Sequence, residues 1–488
     1  MFNESMINKL DFLRESGVDP YPPRTEMNTK PSTMVKREFD KLKEAGDDVT
    51  VHGRVMAVRG HGKARFVVIR DEAGEIQLYC RIDVMGEDSY ETVKKGLDVG
   101  DFIVATGSVF KTRTEEITVE VQRLNWATKA LVPLPEKFHG LTDPEIRYRK
   151  RQMDMISDPT ILSRLRVRNR ILQVIRKILW DKGFEEVETP ILQPLYGGAL
   201  AKPFETHHNA LDMPAYLRIA PELYLKRLVV GGMTKIFEMS KCFRNEGISP
   251  LHNPEFTMLE LYEAWTCYRR MMKISEELVS TTVKEITGGF IIEYEGNQID
   301  FTPPWTQITM ADAFKQYAGL DIEQLRDDKF ALSYMKENGI QMEKAKNFKG
   351  FCDEVFKKKV VPNLIQPTIV YDYPIEMSPL AKLIPGDDRY VERFQFIISG
   401  FEMGNAFSEL NDPQDQLKRF ESQLDLKKSG DDESHEIDND YVEALGVGMP
   451  PTGGLGIGID RLVMVLTGQT TIREVLAFPQ LRKKDANK

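Results

Sequence analysis

The stretch Phe243–Glu260, FRNEGISPLHNPEFTMLE, constrains the fold more than any other part of the chain. Arg244 and Glu246 end a first short segment, and Gly247, Ser249 and Pro250 supply a turn. Phe256, Met258 and Glu260 then alternate with the period of one strand face. The pattern predicts a strand–loop–strand that turns a cation, an aromatic ring and carboxylates to one side. Arginine binds phosphate oxygens bidentately, and a phenyl ring stacks on a base, so such a hairpin suits a nucleotide. A solvated charged hairpin has the same local pattern, and the rest of the chain must decide between them.

With 488 residues the chain exceeds a single core, since cores stop growing at about 250–300 residues. Its 41% hydrophobic and 29% charged residues exclude a disordered polymer. No apolar run reaches the ~20 residues that span a bilayer. The start, MFNESMINKLDFLRESG, lacks the basic and apolar blocks of a secretory signal. No membrane association is therefore expected. Cys80, Cys242, Cys267 and Cys352 are far apart with no CxxC, which predicts a reducing, cytoplasmic setting without disulfides or a zinc knuckle. The net charge of −9 excludes a generally basic surface but leaves room for a local basic patch on nucleic acid.

Residues 1–48 read as a polar helical arm broken at Pro20–Pro23, which packs as an extension or contacts RNA. Over residues 49–127 the period changes to two. VTVHGRVMAVR, ARFVVIRD, EIQLYC, DFIVATGSVFK and EITVEVQRL are five β-branched runs separated by turns, the spacing of an OB-fold barrel. Arg59, Lys63, Arg65 and Phe66, followed by Gln77 and Tyr79, suit single-stranded bases by stacking and edge hydrogen bonds, unless Phe66 is core. Residues 128–160 read as a linker carrying Arg147, Arg149, Lys150 and Arg151.

A domain over residues 161–482 follows, with residues 483–488 as a tail. Asp158-Pro159 starts a helix that Gly183 ends, and FEEVETPIL reads as a strand closed by Pro190. This pair forms either a symmetric dimer surface or core. Gly197-Gly198-Ala199 allow close backbone approach. His207 and His208 are adjacent on a strand and face opposite ways, so they read as structural rather than as one metal site. Glu222 precedes a helical run at a pocket rim. Residues 266–365 read as a helical insertion, with strand signals in GFIIEYEG and QIDF.

Residues 391–410 form one alternating run ending in Glu402, Asn405, Phe407 and Glu409, and Glu402 facing phosphates is a candidate Mg²⁺ ligand. Residues 427–440 read as a charged surface loop without function. In GGLGIGIDRLVMVL, Gly454, Gly456 and Gly458 leave one strand face bare for a flat ligand, and Arg461 opens a helix within reach of phosphate. The pattern is not GxGxxG and the chain holds no GxxxxGK[ST], so neither a dinucleotide fold nor a P-loop is supported.

FEEVETP, FRNEG…HNPEF and GLGIGIDR resemble, in order, the three motifs of class II aminoacyl-tRNA synthetases. The barrel resembles that of the subgroup activating aspartate, asparagine or lysine. GGALAKPFETHHNALDMPAYLRIAPELYLKRLVVGG, YPIEMSPLAK and GNAFSELNDPQDQLKRF resemble the lysyl-tRNA synthetases. The resemblance spans residues 50 to 482. It implies an α+β fold: an antiparallel sheet flanked by helices, preceded by the all-β barrel and working as a homodimer. The implied substrates and partners are ATP, L-lysine and tRNA(Lys), with Mg²⁺ as cofactor.

By the same resemblance, Arg244 binds the α-phosphate and the lysine carboxylate, and Phe256 and Arg461 sandwich the adenine. Glu246, His252 and Asn253 lie along the nucleotide, and Glu402 holds Mg²⁺. Gly198, Ala220 and Glu222 surround the lysine α-amino end. Glu260, Tyr262, Asn405, Phe407 and Glu409 line the side-chain pocket, with Glu409 and Tyr262 on the ε-ammonium. Arg59, Phe66, Gln77 and Glu116 read the anticodon.

Two departures stand out. Gln395 occupies the place of a second metal-sharing glutamate, and an amide oxygen carries no charge. The turn Lys111–Glu115 before Glu116 lacks the family's glycine. An aspartyl or asparaginyl enzyme would need a cation where Glu409 and Tyr262 stand, and a non-catalytic paralogue would be expected to lack Arg244 or Arg461. Glu238–Cys242, EMSKC, mimics a class I loop, but no HxGH precedes it.

Overall fold

A computed structural model of the chain describes residues 2–25, 28–135, 141–199, 201–341, 347–428 and 437–482. The expected tail and most of the 427–440 loop lie outside them. The chain divides into two compact units, Met1–Asp143 and Pro144–Lys488. Among the described residues no helix is long and apolar enough to cross a membrane.

In the first unit β1 (Val49–Arg59), β2 (Ala64–Arg70), β3 (Glu75–Arg81), β4 (Phe102–Lys111) and β5 (Ile117–Thr128) close a barrel in the order β1-β2-β3-β5-β4. Alternation sends Val67, Ile69, Ile76 and Leu78 inward and leaves Phe66, Gln77 and Tyr79 less buried on the other face. The N-terminal helices are part of this unit. Leu13, Val35, Phe39 and Leu42 are buried in the same core as the barrel strands. Their apolar stripes cover barrel surface that five short strands cannot bury alone.

The remaining strands are β6 (Glu185–Glu186), β7 (Leu192–Gln193), β8 (Phe204–His208), β9 (Met213–Leu217), β10 (Lys235–Phe243), β11 (Glu255–Ala264), β12 (Ile291–Tyr294) and β13 (Asn297–Asp300). They continue as β14 (Thr306–Thr309), β15 (Thr368–Pro374), β16 (Leu383–Ile384), β17 (Asp387–Ile398), β18 (Phe401–Ser408) and β19 (Thr452–Gly458). The large sheet runs β14-β15-β17-β18-β19-β11-β10-β6, with β16 on β17. It is antiparallel except at its two outer pairs, β14–β15 and β10–β6. The fold is therefore the expected α+β arrangement behind an all-β barrel.

Four local readings are corrected. The second half of the expected linker is helical, over Pro144–Arg149 and Arg151–Ser157, and folds with the second unit. Arg151 is fully buried because its guanidinium donates to the Leu476 carbonyl (3.0 Å) and to Asp154 (2.8 Å).

FEEVETPIL joins the large sheet only at Glu185-Glu186, with one further bond from the Val187 N–H to the Phe237 carbonyl, and its last residue, Leu192, begins β7 and pairs with β9. The chain then leaves the sheet edge, where Thr189 is tied to Glu238 (2.6 Å) and Arg218 (3.1 Å), and Pro190 has no N–H to extend the ladder.

The run 391–410 is a hairpin, turning at Ser399 (φ 53°) and Gly400 (φ 75°). Both arms alternate, so periodicity alone cannot locate that turn.

Finally, helix Tyr268–Thr287 is not an insertion. Met271, Ile274, Leu278 and Val283 are buried in the central core with β11, β17 and β19. Only the segments from Met310 to Leu364 form a second core, against Val370, Val391 and Ile397.

Candidate active site

The Phe243–Glu260 stretch joins β10 to β11, which pair from Phe243↔Glu255 through Glu238↔Glu260 to Lys235↔Glu263. β19 flanks β11 on the other side, pairing Glu260 with Gly456 and Tyr262 with Gly454. The Thr257 N–H donates to Asp460 (2.7 Å), which ties β11 to the helix Ile459–Leu466. Class I mimicry is ruled out by the same geometry, since Glu238–Cys242 lies inside β10.

Above these strands lies a cavity of about 420 Å³. Gly198, Ala220, Glu222, Arg244, Glu246, His252, Asn253, Phe256, Glu260, Tyr262, Gln395, Glu402, Asn405, Phe407, Glu409 and Arg461 all line it. One end is cationic. The Arg244 guanidinium lies 5.1 Å from the Phe256 ring centre, and its Nε is buried without a hydrogen-bond partner among the described residues. An unpartnered buried guanidinium N–H is costly, so this end is built for an anion. Arg461 donates through Nη1 to the Glu402 carbonyl (2.5 Å) and through Nη2 to His252 Nε2 (3.0 Å). Accepting that bond requires a neutral imidazole, whose Nδ1–H then faces Ser249 Oγ at 2.8 Å. The His252 pKa is pushed down to about 4, first by desolvation and then by the charges of Arg461 and Arg244. Arg461's own pKa is lowered, mainly by burial.

The other end is a floor of buried acids. Glu222, Glu260 and Glu409 are 5%, 5% and 1% exposed. Burial raises the pKa of each, and for Glu260 it combines with the Glu222 charge to push it up to about 8. The Tyr262 hydroxyl donates to Glu260 at 3.0 Å. Glu222 is thus at the base of the pocket rather than at its rim. It opens the helix Glu222–Val230, and Lys226 one turn later pairs with it at 2.6 Å and also with Glu409. Gly198, at φ 85°, passes so close that a Cβ there would lie 2.9 Å from the Glu222 Cβ. A Cβ on Gly454 would lie 1.9 Å from Glu409 Oε1. At that position the bare strand face is therefore filled by a protein carboxylate.

Glu402 also lines the cavity beside Arg461, and its carboxylate makes no hydrogen bond or ion pair with a described residue. Gln395 Oε1 accepts from the Tyr373 hydroxyl (3.0 Å). Among the described residues no group of three His, Cys, Asp or Glu could hold a metal by itself. His207 bonds to Asp212 (3.1 Å).

Sequence reasoning missed Lys226 and Arg393. Arg393 donates to Asn405 (2.8 Å), the Met377 carbonyl (2.6 Å) and Ser378 (2.9 Å), which fixes the Asn405 side chain. The Glu222–Lys226 spacing of four on a helix was the available signal for the first.

In the barrel, β1 pairs Arg59 with Phe66, and β2 pairs Val68 with Gln77. Phe66 stacks on Tyr79 with centroids 4.5 Å apart, outside the packed interior. Gln77 donates to Thr118 (3.0 Å), and Glu116 pairs with Lys36 (3.2 Å). The turn before Glu116 puts Glu115 at φ 62°.

Two family models match the chain. Residues 143–482 match the class II tRNA synthetases (D, K and N), and residues 49–126 match the OB-fold nucleic acid binding domain. The chain is 49% identical over 479 residues to a lysine–tRNA ligase of Carboxydothermus hydrogenoformans, covering 98% of this chain and 97% of that one. It is 47% identical over 481 residues to one of Bacillus subtilis, covering 98% and 96%. It is 47% identical over 480 residues to one of Syntrophomonas wolfei subsp. wolfei, covering 98% and 97%. With matches of this extent, the chain belongs to the lysine–tRNA ligase family of class II tRNA synthetases.

Proposed function

We propose that the chain joins L-lysine to tRNA(Lys) in two steps, and that both substrates of the first step meet in the 420 Å³ cavity. The observation that carries this reading is the polarity of that cavity: two arginines at one end and three buried carboxylates at the other. ATP presents anions, while lysine presents a carboxylate at one end and ammonium groups beyond it.

In the first step a lysine carboxylate oxygen bonds to the α-phosphorus while the α–β bridging P–O bond breaks. Pyrophosphate leaves with that electron pair. Both reactants are anionic, so the site must offset their repulsion, and Arg244 does so by touching both. Arg461 stabilises charge at the nucleotide. Phe256 supplies one face for the adenine, and Glu246, His252 and Asn253 border the nucleotide. No general base is needed, because a carboxylate is already ionised at neutral pH. Positioning and electrostatics supply the acceleration. The terminal ribose hydroxyl of tRNA then takes the lysyl group, and AMP departs.

In the pocket floor, Gly198, Ala220 and Glu222 take the α-amino end. Glu260, Tyr262, Asn405, Phe407 and Glu409 take the side chain. The experiment that tests this reading is amino-acid-dependent pyrophosphate exchange with lysine, aspartate and asparagine. Exchange with lysine alone is expected, and exchange with aspartate or asparagine removes the assignment of the floor.

Mg²⁺ fits this site in company with nucleotide phosphates, since the Glu402 carboxylate makes no hydrogen bond or ion pair with a described residue, and no ligand cluster stands ready alone among the described residues. When bound, it draws charge from the phosphate oxygens. Gln395 has one acceptor lone pair engaged by Tyr373. Gln395→Glu is therefore expected to lower the half-saturating Mg²⁺ concentration for exchange about tenfold, the effect of about 1.4 kcal/mol. An unchanged requirement removes position 395 from the metal's surroundings.

Arg59, Phe66, Gln77 and Glu116 are the anticodon contacts in this reading, supported by a stacked aromatic pair beside an amide and a cation. The working assembly is a homodimer. Support comes from apolar side chains left exposed on and after the helix Pro159–Asp181, among them Trp180 (53%), Ile191 (45%) and Leu192 (43%). Charging tRNA for translation places the chain in the cytoplasm.

A further inference from the structure

Lys226 is a fully buried lysine against the acid floor. Its ammonium lies 2.6 Å from Glu222 and in direct contact with Glu409, so it bridges the two carboxylates. It also faces the rings of Phe407 (5.4 Å) and Tyr441 (5.9 Å). Phe407 closes this corner without adding a charge.

The groups that bear on this ammonium come from several elements. Glu222 shares its helix, and Glu260 and Tyr262 project from β11. Glu409 follows β18, and Tyr441 comes from the helix Asn439–Val447. Arg393 on β17 acts on Glu222 only at a distance, because its guanidinium is held by Asn405, Met377 and Ser378. The local charge is therefore simple. Glu222 and Glu409 face one protein ammonium, which leaves one negative charge unbalanced, while Glu260, pushed up to about 8, is mostly protonated at neutral pH. A free lysine carries two ammonium groups, and its carboxylate goes to Arg244 at the opposite end.

We propose that Lys226 is a positioning residue: its ammonium holds Glu222 and Glu409 charged and aimed before substrate arrives, so that the floor keeps a net negative charge toward the ammonium groups of the incoming amino acid. The proposal rests on reading this floor as the lysine pocket. Without Lys226, Glu222 and Glu409, buried and crowded beside Glu260, cannot both stay ionised. One takes up a proton, and lysine must displace that proton on binding. The pKa values of Glu222 and Glu409 are already raised by burial, and Lys226 is the largest influence lowering each.

The test is calorimetry of L-lysine binding to the whole protein in two buffers of different ionisation enthalpy, which counts protons released. Lys226→Met is expected to release about one proton more than wild type at pH 7.5. Its lysine affinity is expected to fall at least about tenfold at pH 7 and to recover by about tenfold per pH unit toward pH 8.5. The ATP KM should stay within about threefold. Lys226→Arg keeps the charge but disturbs the packing, and should release as few protons as wild type. Should Lys226→Met not fold, Lys226→Gln, which keeps a donor and removes the charge, carries the same expectation.

An unchanged proton count in the uncharged variants assigns Lys226 to packing alone and overturns the proposal. The same excess in Lys226→Arg also overturns it. If Glu409→Gln binds lysine as wild type does, the pocket reading itself fails, and that result is separate from any outcome at Lys226.

Discussion

Arg244→Ala is expected to lose about 10²–10³ in the rate of lysine-dependent pyrophosphate exchange, the usual cost of removing one donor aimed at developing charge. The loss follows from where this side chain is held. Its backbone N–H is anchored to the Pro254 carbonyl (2.8 Å), its guanidinium lies over Phe256, and its Nε is buried without a hydrogen-bond partner among the described residues. A side chain so placed is already oriented, so its loss removes charge stabilisation rather than a flexible contact. The fold should tolerate the change, because no described ion pair depends on this guanidinium. Single-turnover formation of lysyl-adenylate, with the melting temperature measured in parallel, checks both halves. Exchange at the wild-type rate would remove Arg244 from the reaction.

The second large effect is expected at the floor. Glu409→Gln keeps the shape but removes the charge that the proposed reading sets against the substrate ammonium. A hydrogen bond to a charged group contributes about 1.5–3 kcal/mol, so the lysine KM should rise about 10- to 100-fold while the ATP KM moves little. Gly454→Ala reaches the same result by a different route. Its new Cβ would sit 1.9 Å from Glu409 Oε1 and 2.7 Å from Tyr262 Cε1, so the carboxylate must move. Both variants should therefore fail on lysine and spare ATP. Steady-state exchange with each substrate varied in turn measures the split. Equal losses on both substrates would show that Glu409 does not select the amino acid. The pH axis gives a further check. Burial holds the Glu409 carboxyl above its ordinary range, so the charged form is the one folding disfavours. Replacing it with glutamine should not lower the melting temperature at neutral or alkaline pH.

Much of the architecture was legible because local periodicity survives folding. The five barrel strands appear where the period-two runs lie, since each needs one buried face. The helix beginning at Pro159 starts where Asp158 can cap it, with its side chain accepting from the Thr160 N–H. That Arg244, Phe256 and Arg461 would share one cavity was legible for a different reason. They sit at strand ends and a helix start, where backbone direction and side-chain direction follow from the chain itself. Elsewhere the local pattern was ambiguous. FEEVETPIL has strand composition, but the sheet edge accepts only two of its residues as strand. The hairpin at Ser399-Gly400 is hidden because its two arms share one alternation. Helix Tyr268–Thr287 reads as insertion by its position in the chain and proves to be core by what it packs against.

By itself, then, the sequence determined which elements form, their order, and which side chains could carry cation, ring or acid to a shared face. Those properties depend on residues a few positions apart. Only the tertiary structure decided that Glu222, Glu260 and Glu409, separated by up to 187 positions, crowd into one buried floor around Lys226. The reason is physical. Burial and charge–charge energies depend on distance in space and on exclusion of water, and neither is encoded in spacing along the chain.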